Sequence, residues 1–583
     1  MNSSPCLYQA GRRSFLVFME KVIIYQMFTR LFGNTNTARQ HNGTKTDNGV
    51  GRFNDINAAV LKRIKKLGCS HVWYTGVLRH ATSTDYTAFG IPLNHPAVIK
   101  GKAGSPYAIV DYYDVDPDMA VDVNKRMSEF EKLIERTHKA GLKVIIDFVP
   151  NHVAREYHSI SCPEGIHDLG ATDNKDWHFS TSNNFYYCWG APFAPQFDIE
   201  HDSDGNSLAP YAEHPAKATG NDVFSASPGR NDWYETVKLN YGIDYCDAGG
   251  RSEHFYDADG QPVVDTWFKM TDILLFWASK GVDAFRCDMA EMVPAAFWHY
   301  ATSRVKAAYP HINFIGEVYD KNQYRNYIAS GFDYLYDKVG MYDTLRAVMC
   351  GHTGAQAITS QWQATEDIQD HMLYFLENHD EQRVASDFFA GRAECGIPAL
   401  IVSALMQKNP FMLYAGEEFG EKGMDSEGFS GVDGRTTIFD YWCVDTLRRG
   451  YFSRKELTKE EKALEKIHSQ ILNIAVSERA VTDGLFYDLM YVNPVSDRFD
   501  AAHLYAFMRK HEDRTLLVIA NFSDTPQTAS VCIPRHAIEY LSLTEGRRTA
   551  TELLTDKTQE IVVSADEPLQ THVPALSGVV LSW

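Results

Sequence analysis

Three carboxylates each stand where the chain would leave a short, buried apolar run. Asp288 ends ValAspAlaPheArgCysAsp (282–288), Glu317 lies within PheIleGlyGluVal (314–318), and Asp380 ends LeuGluAsnHisAsp (376–380). If these runs are parallel strands, the carboxylates meet at one edge, where mutual repulsion and partial desolvation raise the pKa of at least one of them. An acid with a raised pKa beside an ionised carboxylate is the pair that retaining glycoside hydrolysis requires. A helix cap or a surface carboxylate explains Glu317 or Asp380 alone, but not all three positions together.

Arg286 precedes Asp288 by two residues, and this spacing places both side chains on the same face of a strand. The bulky Phe285 between them suits the opposite face, packed against helices. Arg286 and Asp288 then point into the interior, where a guanidinium keeps a carboxylate ionised and oriented, as a nucleophile requires. The pair alone is equally consistent with an ordinary buried salt bridge.

The elements that must position these residues are strands and helices that alternate from about residue 20 onward. In the clearest unit, Met127, Phe130 and Ile134 recur at helical spacing, Gly141 ends the helix, and the apolar run 143–150 follows as a strand. The candidate strands are 22–28, 71–77, 143–150, 282–288, 313–318, 332–336, 372–378 and 410–416. Because eight strands close a TIM barrel, the sequence predicts an α/β fold of the (β/α)8 type, with its active site at the carboxyl ends of the strands.

Two long segments do not follow the alternating pattern. Residues 152–235, after the third strand, are rich in Asn, Asp, His, Pro and aromatic residues without a helical period, which predicts an inserted domain. After about residue 475, apolar runs such as 504–509 and 515–522 predict a C-terminal antiparallel β-sandwich. The predicted domains are an N-terminal extension (1–18), the barrel in two parts (19–151 and 236–475), the inserted domain (152–235) and the C-terminal domain (476–583).

The charge of the chain limits its partners. The 583 residues carry a formal net charge of −20, which argues against nucleic acid or an anionic membrane as a partner. Glu20 and Lys21 interrupt the N-terminal apolar run before it reaches the length of a signal sequence, and no window has the roughly 18 apolar residues of a membrane span. The ten cysteines have neither metal-type spacing nor the density of a disulfide scaffold. We therefore expect a cytoplasmic protein.

Four motifs resemble, in order and spacing, the four sequence regions of the α-amylase family, glycoside hydrolase family 13. They are AspPheValProAsnHis (147–152), ValAspAlaPheArgCysAsp (282–288), PheIleGlyGluVal (314–318) and PheLeuGluAsnHisAsp (375–380). In addition, ValLysLeuAsn (237–240) is similar to a further region late in the family's inserted domain. The resemblance spans about residues 20–583. It implies a retaining hydrolase that cleaves α-glucosidic bonds in starch, glycogen or maltooligosaccharides through a covalent glycosyl-aspartate intermediate.

The resemblance also implies a role for each matching residue. Asp288 would be the nucleophile, Glu317 the general acid/base and Asp380 the stabiliser of the distorted sugar. Tyr107 would stack beneath the sugar ring, and His152 and His379 would hydrogen-bond to the same sugar. Arg286 would contact the substrate site and orient the nucleophile, and Asp147 would support the site.

Two positions depart from the family pattern. Where many α-amylases have Lys-His three and four residues after the nucleophile, this chain has Glu291 and Met292. We expect Glu291 to change binding on the acceptor side of the cleaved bond, and a role as a helix cap or ion-pair partner is equally open. The chemistry requires no cofactor. Asn151 matches a usual calcium ligand, and the backbone carbonyl that the family's histidine offers to calcium is still present at Met292. The sequence assigns no carboxylate partner in 152–235, so it leaves a structural calcium ion open.

Different functions compete with hydrolysis. An α-glucan glycosyltransferase would use the same residues and hand the glycosyl unit to another sugar, and Glu291 and Met292 keep this alternative open. A non-catalytic barrel would be marked by the loss of a carboxylate at 288, 317 or 380, and all three are present. The motifs leave linkage, chain length, endo or exo action and oligomeric state open.

Overall fold

Eight parallel strands close into a barrel in a computed structural model that describes residues 21–201, 205–247 and 249–583. The strands are β1 (Ile23–Phe28), β2 (His71–Thr75), β3 (Lys143–Phe148), β4 (Ala284–Cys287), β5 (Asn313–Gly316), β6 (Tyr334–Tyr336), β7 (Met372–Phe375) and β8 (Phe411–Tyr414). Each strand pairs with its neighbours in the chain, and β8 pairs with β1 to close the ring. The predicted TIM barrel is confirmed. The extension predicted at 1–18 lies outside the described residues.

Helices connect many of the strands. The first long helix begins after Asn57, whose side chain accepts the N–H groups of Ala59 and Val60, and it ends at Gly68, where φ is 107°. The α-helices are Thr29–Phe32, Lys45–Asn48, Ala58–Leu67, Arg126–Lys139, Asp265–Ser279, Ala295–Ala308, Tyr324–Ala329, Asp343–Met349, Ala357–Ala364, Gly396–Leu405, Asp445–Leu447, Lys459–Ser477, Arg479–Thr482 and Arg535–Tyr540. Within the described ranges, none of the helices has the length and apolar character needed to cross a membrane.

Side chains alternate between the barrel interior and the helix side along each strand, as the pleat of a strand requires. Ala284 lies in the interior cluster with Ile145 and Ile315, whereas the ring of Phe285 packs against that of Phe314 at a centroid distance of 5.7 Å. Arg286, the next residue, therefore points inward, as the sequence predicts, and it is fully buried.

The segment between β3 and helix Asp265–Ser279 contains little regular structure. His152–Ala154 pairs in an antiparallel sense with Thr236–Lys238, and Ile243–Asp247 forms a hairpin with Gly250–Glu253. The first pairing places Lys238 opposite His152. Residues at the end of the insertion therefore lie beside those at its start, next to the mouth of the barrel. Another short antiparallel pair, Leu78–His80 with Ile109–Val115, lies in the loop after β2. The domain limits given above stay predictions.

The C-terminal region is an antiparallel β structure, which confirms the predicted class of this part of the chain. Its larger sheet contains, in spatial order, Leu485–Asp488, Leu504–His511, Arg514–Asn521, Ser577–Ser582, Gly546–Glu552 and Lys557–Val563. A second sheet pairs Gln527–Val531 with Leu569–Val573.

Arg509 connects the larger C-terminal sheet to the barrel helices. Its buried guanidinium donates hydrogen bonds to the backbone carbonyls of Met406, Ala480, Val481 and Gly484. Met406 caps the carboxyl end of helix Gly396–Leu405, and Ala480 and Val481 belong to helix Arg479–Thr482. One side chain thus satisfies carbonyls at the ends of two helices.

Gly316 generates a prediction, because it directly precedes Glu317. A Cβ atom at Gly316 would lie 2.9 Å from side-chain atoms of Leu335 and Phe332, closer than side chains pack without displacement. We expect G316A to destabilise the fold by about 1–3 kcal/mol through overpacking and to lower turnover by shifting Glu317. Thermal unfolding and kcat measure the two effects. G396A is the control, because a Cβ there would meet Val384 at an ordinary 3.5 Å. Wild-type stability and kcat in G316A would contradict the argument.

Candidate active site

The three carboxylates lie at the carboxyl-terminal mouth of the barrel. Asp288 directly follows β4, Glu317 directly follows β5, and Asp380 lies in the loop after β7. Together with Tyr107 and His152 they line a cavity of about 230 Å³. The barrel therefore brings together residues that are distant in the sequence, as the strand-end pattern predicts.

Arg286 stands at the centre of this cluster. Its Nη1 lies 2.7 Å from Asp288 Oδ1 and 3.6 Å from Asp147 Oδ1, and its Nη2 lies 2.8 Å from Glu317 Oε2. The guanidinium carbon also lies 5.1 Å from the ring centroid of Trp73. One buried cation thus faces three carboxylates, and it orients Asp288 through a hydrogen bond.

Asp288, Asp380 and Asp147 have raised pKa values because burial penalises their ionised forms. Burial raises the pKa of Asp288 well above its ordinary value, Glu317 and Asp380 add to this, and Arg286 opposes it. Burial and the nearby charge of Glu317 raise the pKa of Asp380 to about 7, although its side chain is 41% exposed at the cavity. Burial also raises the pKa of Asp147 to about 6, against the attraction of Arg286. A single guanidinium therefore does not compensate for the whole cluster, so the coupled carboxyl groups together hold at least one proton near neutral pH, while Arg286 favours the ionised form of Asp288.

Glu317 is held by donors on both of its oxygens. Its Oε2 accepts the backbone N–H of Met289 at 2.8 Å, and its Oε1 accepts the hydroxyl of Tyr319 at 2.6 Å. Met289 has a left-handed backbone, with φ 42° and ψ 44°, in the turn after Asp288. This uncommon conformation for a side chain with a Cβ directs its N–H toward the carboxylate.

His379 is a neutral imidazole with a defined proton. The side-chain amide of Gln26 donates to its Nδ1 at 2.8 Å, so the ring proton lies on Nε2, which is 3.1 Å from Asp380 Oδ2. The hydroxyl of Tyr107 also contacts Nε2, and the two rings stack with centroids 5.4 Å apart. Burial lowers the pKa of His379 well below its ordinary value, with a further contribution from Arg286.

His152 is the second neutral imidazole at the mouth. Burial lowers its pKa to about 3, and the positive charges of Lys238 and Lys100 contribute in the same direction. Its ring lies 5.4 Å from that of Trp233, which also lines the cavity. A neutral imidazole can offer a sugar hydroxyl one donor and one acceptor.

Asp147 supports the cluster from β3. Its Oδ2 accepts the indole N–H of Trp73 at 3.1 Å and the backbone N–H of Gly76 at 3.0 Å. Its Oδ1 faces Arg286. The resemblance gave this residue a supporting role, and its contacts are all with the protein framework.

Sequence reasoning did not identify Lys100 and Glu235, which also line the cavity. Lys100 Nζ lies 2.8 Å from Glu235 Oε1. The other oxygen, Oε2, is buried and has no hydrogen-bond partner among the described residues. No sequence signal marks this pair, because both residues lie in irregular segments. Gln26, by contrast, had a signal, since it is a polar residue inside the apolar run of β1.

Asn151 is engaged by a lysine rather than left free for calcium. Its Oδ1 accepts Lys238 Nζ at 2.5 Å, and its Nδ2 donates to the carbonyl of Gly220 at 2.8 Å. Lys238 Nζ also lies 2.7 Å from Asp222 Oδ1 and 3.4 Å from the carbonyl oxygen of Met292. In the part of the chain that the structure describes, no group of three or more His, Cys, Asp or Glu could hold a metal ion. These residues do not fit a calcium ion at Asn151.

Glu291 contacts the protein backbone, and its acceptor-side role stays a prediction. Its Oε2 accepts the N–H groups of Tyr319 and Asp320, each at 2.9 Å. These residues follow Glu317, so Glu291 anchors the loop that carries the candidate acid. This contact differs from the helix cap that the sequence leaves open, because Tyr319 and Asp320 lie outside the helices.

A larger cavity, of about 850 Å³, lies at the opposite end of the barrel. It is lined by residues that precede the strands, including Val22 and Pro410, and by Arg509 of the C-terminal sheet. None of the predicted site residues lines it.

Comparisons with known proteins agree with the geometry. A family model described as the α-amylase catalytic domain matches residues 26–475. The chain is 23% identical to α-amylase 3 of Dictyoglomus thermophilum over 447 residues, which cover 72% of this chain and 75% of that protein. It is 20% identical to neopullulanase 2 of Thermoactinomyces vulgaris over 538 residues, which cover 88% of this chain and 72% of that protein. A noncanonic maltogenic α-amylase from Thermotoga neapolitana has a similar fold, with a TM-score of 0.61 at 18% identity. The match covers 97% of this chain and 99% of that chain.

The contacts of Glu291 generate a prediction for the loop after Glu317. We expect E291A to lower kcat/KM roughly 10-fold, because two backbone N–H groups lose a charged acceptor. E291Q is the matched control, since its amide oxygen still accepts both N–H groups and most activity should remain. The pH–rate profile of E291A should also change on the limb that reports the acid. Equal activities of E291A and E291Q would show that the loop needs no such anchor.

The raised pKa of Asp380 generates a prediction for stability. An aspartate in the unfolded chain titrates near ~3.9, whereas Asp380 in the fold titrates at about 7, so the unfolded state loses its proton first as pH rises. Asp380 therefore destabilises the fold progressively from about pH 4 to 7. We expect D380N to unfold at a higher temperature than wild type at pH 8, with a smaller difference at pH 5. D259N, in an exposed turn, is the control. A difference independent of pH would contradict this account.

Proposed function

The chain belongs to the α-amylase family of glycoside hydrolases, and we propose that it cleaves α-glucosidic bonds in starch, glycogen or maltooligosaccharides with retention of configuration. The observation that carries this proposal is the shared contact of Arg286 with Asp288 and Glu317, at 2.7 and 2.8 Å. A retaining enzyme needs its two carboxyl groups about 5–5.5 Å apart, whereas an inverting pair leaves room for a water at ~6.5–9.5 Å. Two carboxylates on one guanidinium favour the closer arrangement.

The proposed first step forms a covalent intermediate. Asp288, oriented by Arg286, attacks the anomeric carbon, and Glu317 gives its proton to the glycosidic oxygen as that bond breaks. In the second step Glu317 takes a proton from water, whose oxygen displaces Asp288 and restores the original configuration. The hydroxyl of Tyr319 suits both steps, because it donates to an ionised Glu317 and accepts from a protonated one.

The cavity lining supports a sugar as the substrate. The carboxylate of Asp380 and the neutral imidazole of His152 face the cavity and can bond to hydroxyl groups, whereas the side chain of His379 is fully buried beside them. Lys100 and Glu235 add a further donor and the unpartnered acceptor Oε2. The similar proteins, an α-amylase, a neopullulanase and a maltogenic α-amylase, are in keeping with an α-glucan.

Hydrolysis is preferred over glycosyl transfer. The alternative rested on an altered acceptor side at Glu291, and this side chain is instead bonded to the backbone of Tyr319 and Asp320. The net charge of −20 is consistent with a neutral glucan as partner and gives no basis for nucleic acid. A cytoplasmic location stays a prediction from the sequence.

Replacing the nucleophile tests the proposal. We expect D288N to lose more than about 1,000-fold in kcat on maltotriose while it keeps a near-wild-type melting temperature, because the change removes the anion and keeps the shape. D283N is the matched control, since Asp283 lies at the start of the same motif and accepts the backbone N–H of Val144, outside the site. Activity of D288N within tenfold of wild type would contradict the assignment.

The stereochemistry and the products complete the test. Proton NMR of the first product should show the α-anomer, and chromatography of digests of soluble starch, pullulan and maltotriose should show shorter sugars. An initial β-anomer would contradict retention. Products longer than the substrate as the main outcome would favour the transferase.

A further inference from the structure

Lys238 is a buried lysine whose ammonium group lies among three oxygens from three separate segments. Its Nζ lies 2.5 Å from Asn151 Oδ1, 2.7 Å from Asp222 Oδ1 and 3.4 Å from the carbonyl oxygen of Met292. The side chain is only 3% exposed. Three acceptors match the three N–H donors of an ammonium group, although the contact with Met292 is long.

The three segments are those that build the mouth of the barrel. Asn151 directly precedes His152, Met292 lies in the turn after Asp288, and Asp222 belongs to the insertion between β3 and β4. The strand pairing that places Lys238 opposite His152 fixes the position of the lysine beside the barrel mouth. A cation at this point therefore joins the insertion to the two loops that carry site residues.

The same oxygens are poor ligands for a metal ion while the lysine is present. Calcium takes six to eight oxygen ligands at about 2.3–2.6 Å. An ion bound to Asn151 and Asp222 would stand next to the ammonium group, which already contacts both oxygens, and the like charges would repel. The family resemblance nevertheless leaves a structural calcium ion open here, with Asn151 and the carbonyl of residue 292 as the ligands that it would use.

We propose that Lys238 takes the place of that calcium ion, so that the chain organises its active-site mouth with a cation built into its own sequence. The ammonium group neutralises Asp222 and holds Asn151 and Met292 in position. The fold and the activity then require no calcium. This inference concerns stability as well as activity, so it does not depend on the identity of the substrate.

The first experiment measures calcium dependence in the wild-type chain. After dialysis against EDTA, we expect metal analysis to find no stoichiometric calcium. The melting temperature should differ by less than about 1 °C between EDTA and millimolar calcium chloride. One calcium ion per chain, with a clear fall in melting temperature in EDTA, would overturn the proposal.

The second experiment removes the ammonium group. We expect K238M to melt roughly 5 °C or more below wild type, because Asp222 loses its buried partner, and to lose activity through the displaced loops. K217M is the control: Lys217 also lies in the insertion, where it bonds to the carbonyl of Arg155, away from Asn151 and Met292. K217M should keep kcat/KM. A K238M variant with wild-type stability and activity would overturn the proposal.

The third experiment asks whether a metal can return to the position. K238D places a carboxylate beside Asn151, Asp222 and the carbonyl of Met292. We expect K238D to be destabilised in EDTA and to regain melting temperature with millimolar calcium chloride, with less effect from magnesium, which demands a stricter octahedral geometry. No response of K238D to calcium would overturn the equivalence of this position to a metal site.

Discussion

The buried guanidinium of Arg286 is the interaction on which the candidate site depends. Asp147, Asp288 and Glu317 come from three adjacent strands, and without a cation between them their charges would repel in a desolvated space. The register of the barrel makes the arrangement achievable, because Arg286 lies opposite Asp147 on β3 and Ile315 on β5. A slip of one residue would turn Arg286 toward the helices and leave the carboxylates without their partner. The closed sheet and the catalytic cluster therefore constrain each other.

The same cluster shows that the site is arranged for reaction rather than for stability. Asp288, Asp380 and Asp147 all have raised pKa values, and Met289 keeps a left-handed backbone to donate its N–H to Glu317. The surrounding barrel must offset these unfavourable features. A fold with eight mutually paired strands and a large apolar core can hold such a cluster in one geometry.

The sequence predicted the parts of the molecule that have a period or a local motif. The strand ends at Asp288 and Glu317 could be located because apolar runs alternate with helices, and the inward direction of Arg286 follows from the two-residue repeat of a strand. The partners of Lys238 and Glu235 could not be found in this way. Asp222 and Lys100 lie in segments without periodicity, so nothing in the sequence states which of their contacts form. The contacts of Glu291 could not be predicted for a related reason, since its hydrogen-bond donors are backbone N–H groups, which every residue except proline carries.

The contacts of Arg509 affect how the chain folds during its synthesis. The ends of helices Gly396–Leu405 and Arg479–Thr482 present carbonyls that this side chain satisfies, yet it lies in a sheet that the ribosome completes only with the final strand, Ser577–Ser582. A nascent chain that has already produced all eight barrel strands therefore still lacks the donor for these helix ends. The barrel strands are therefore synthesised before the side chain that satisfies these helix ends, and the final packing of the helix ends requires the C-terminal sheet.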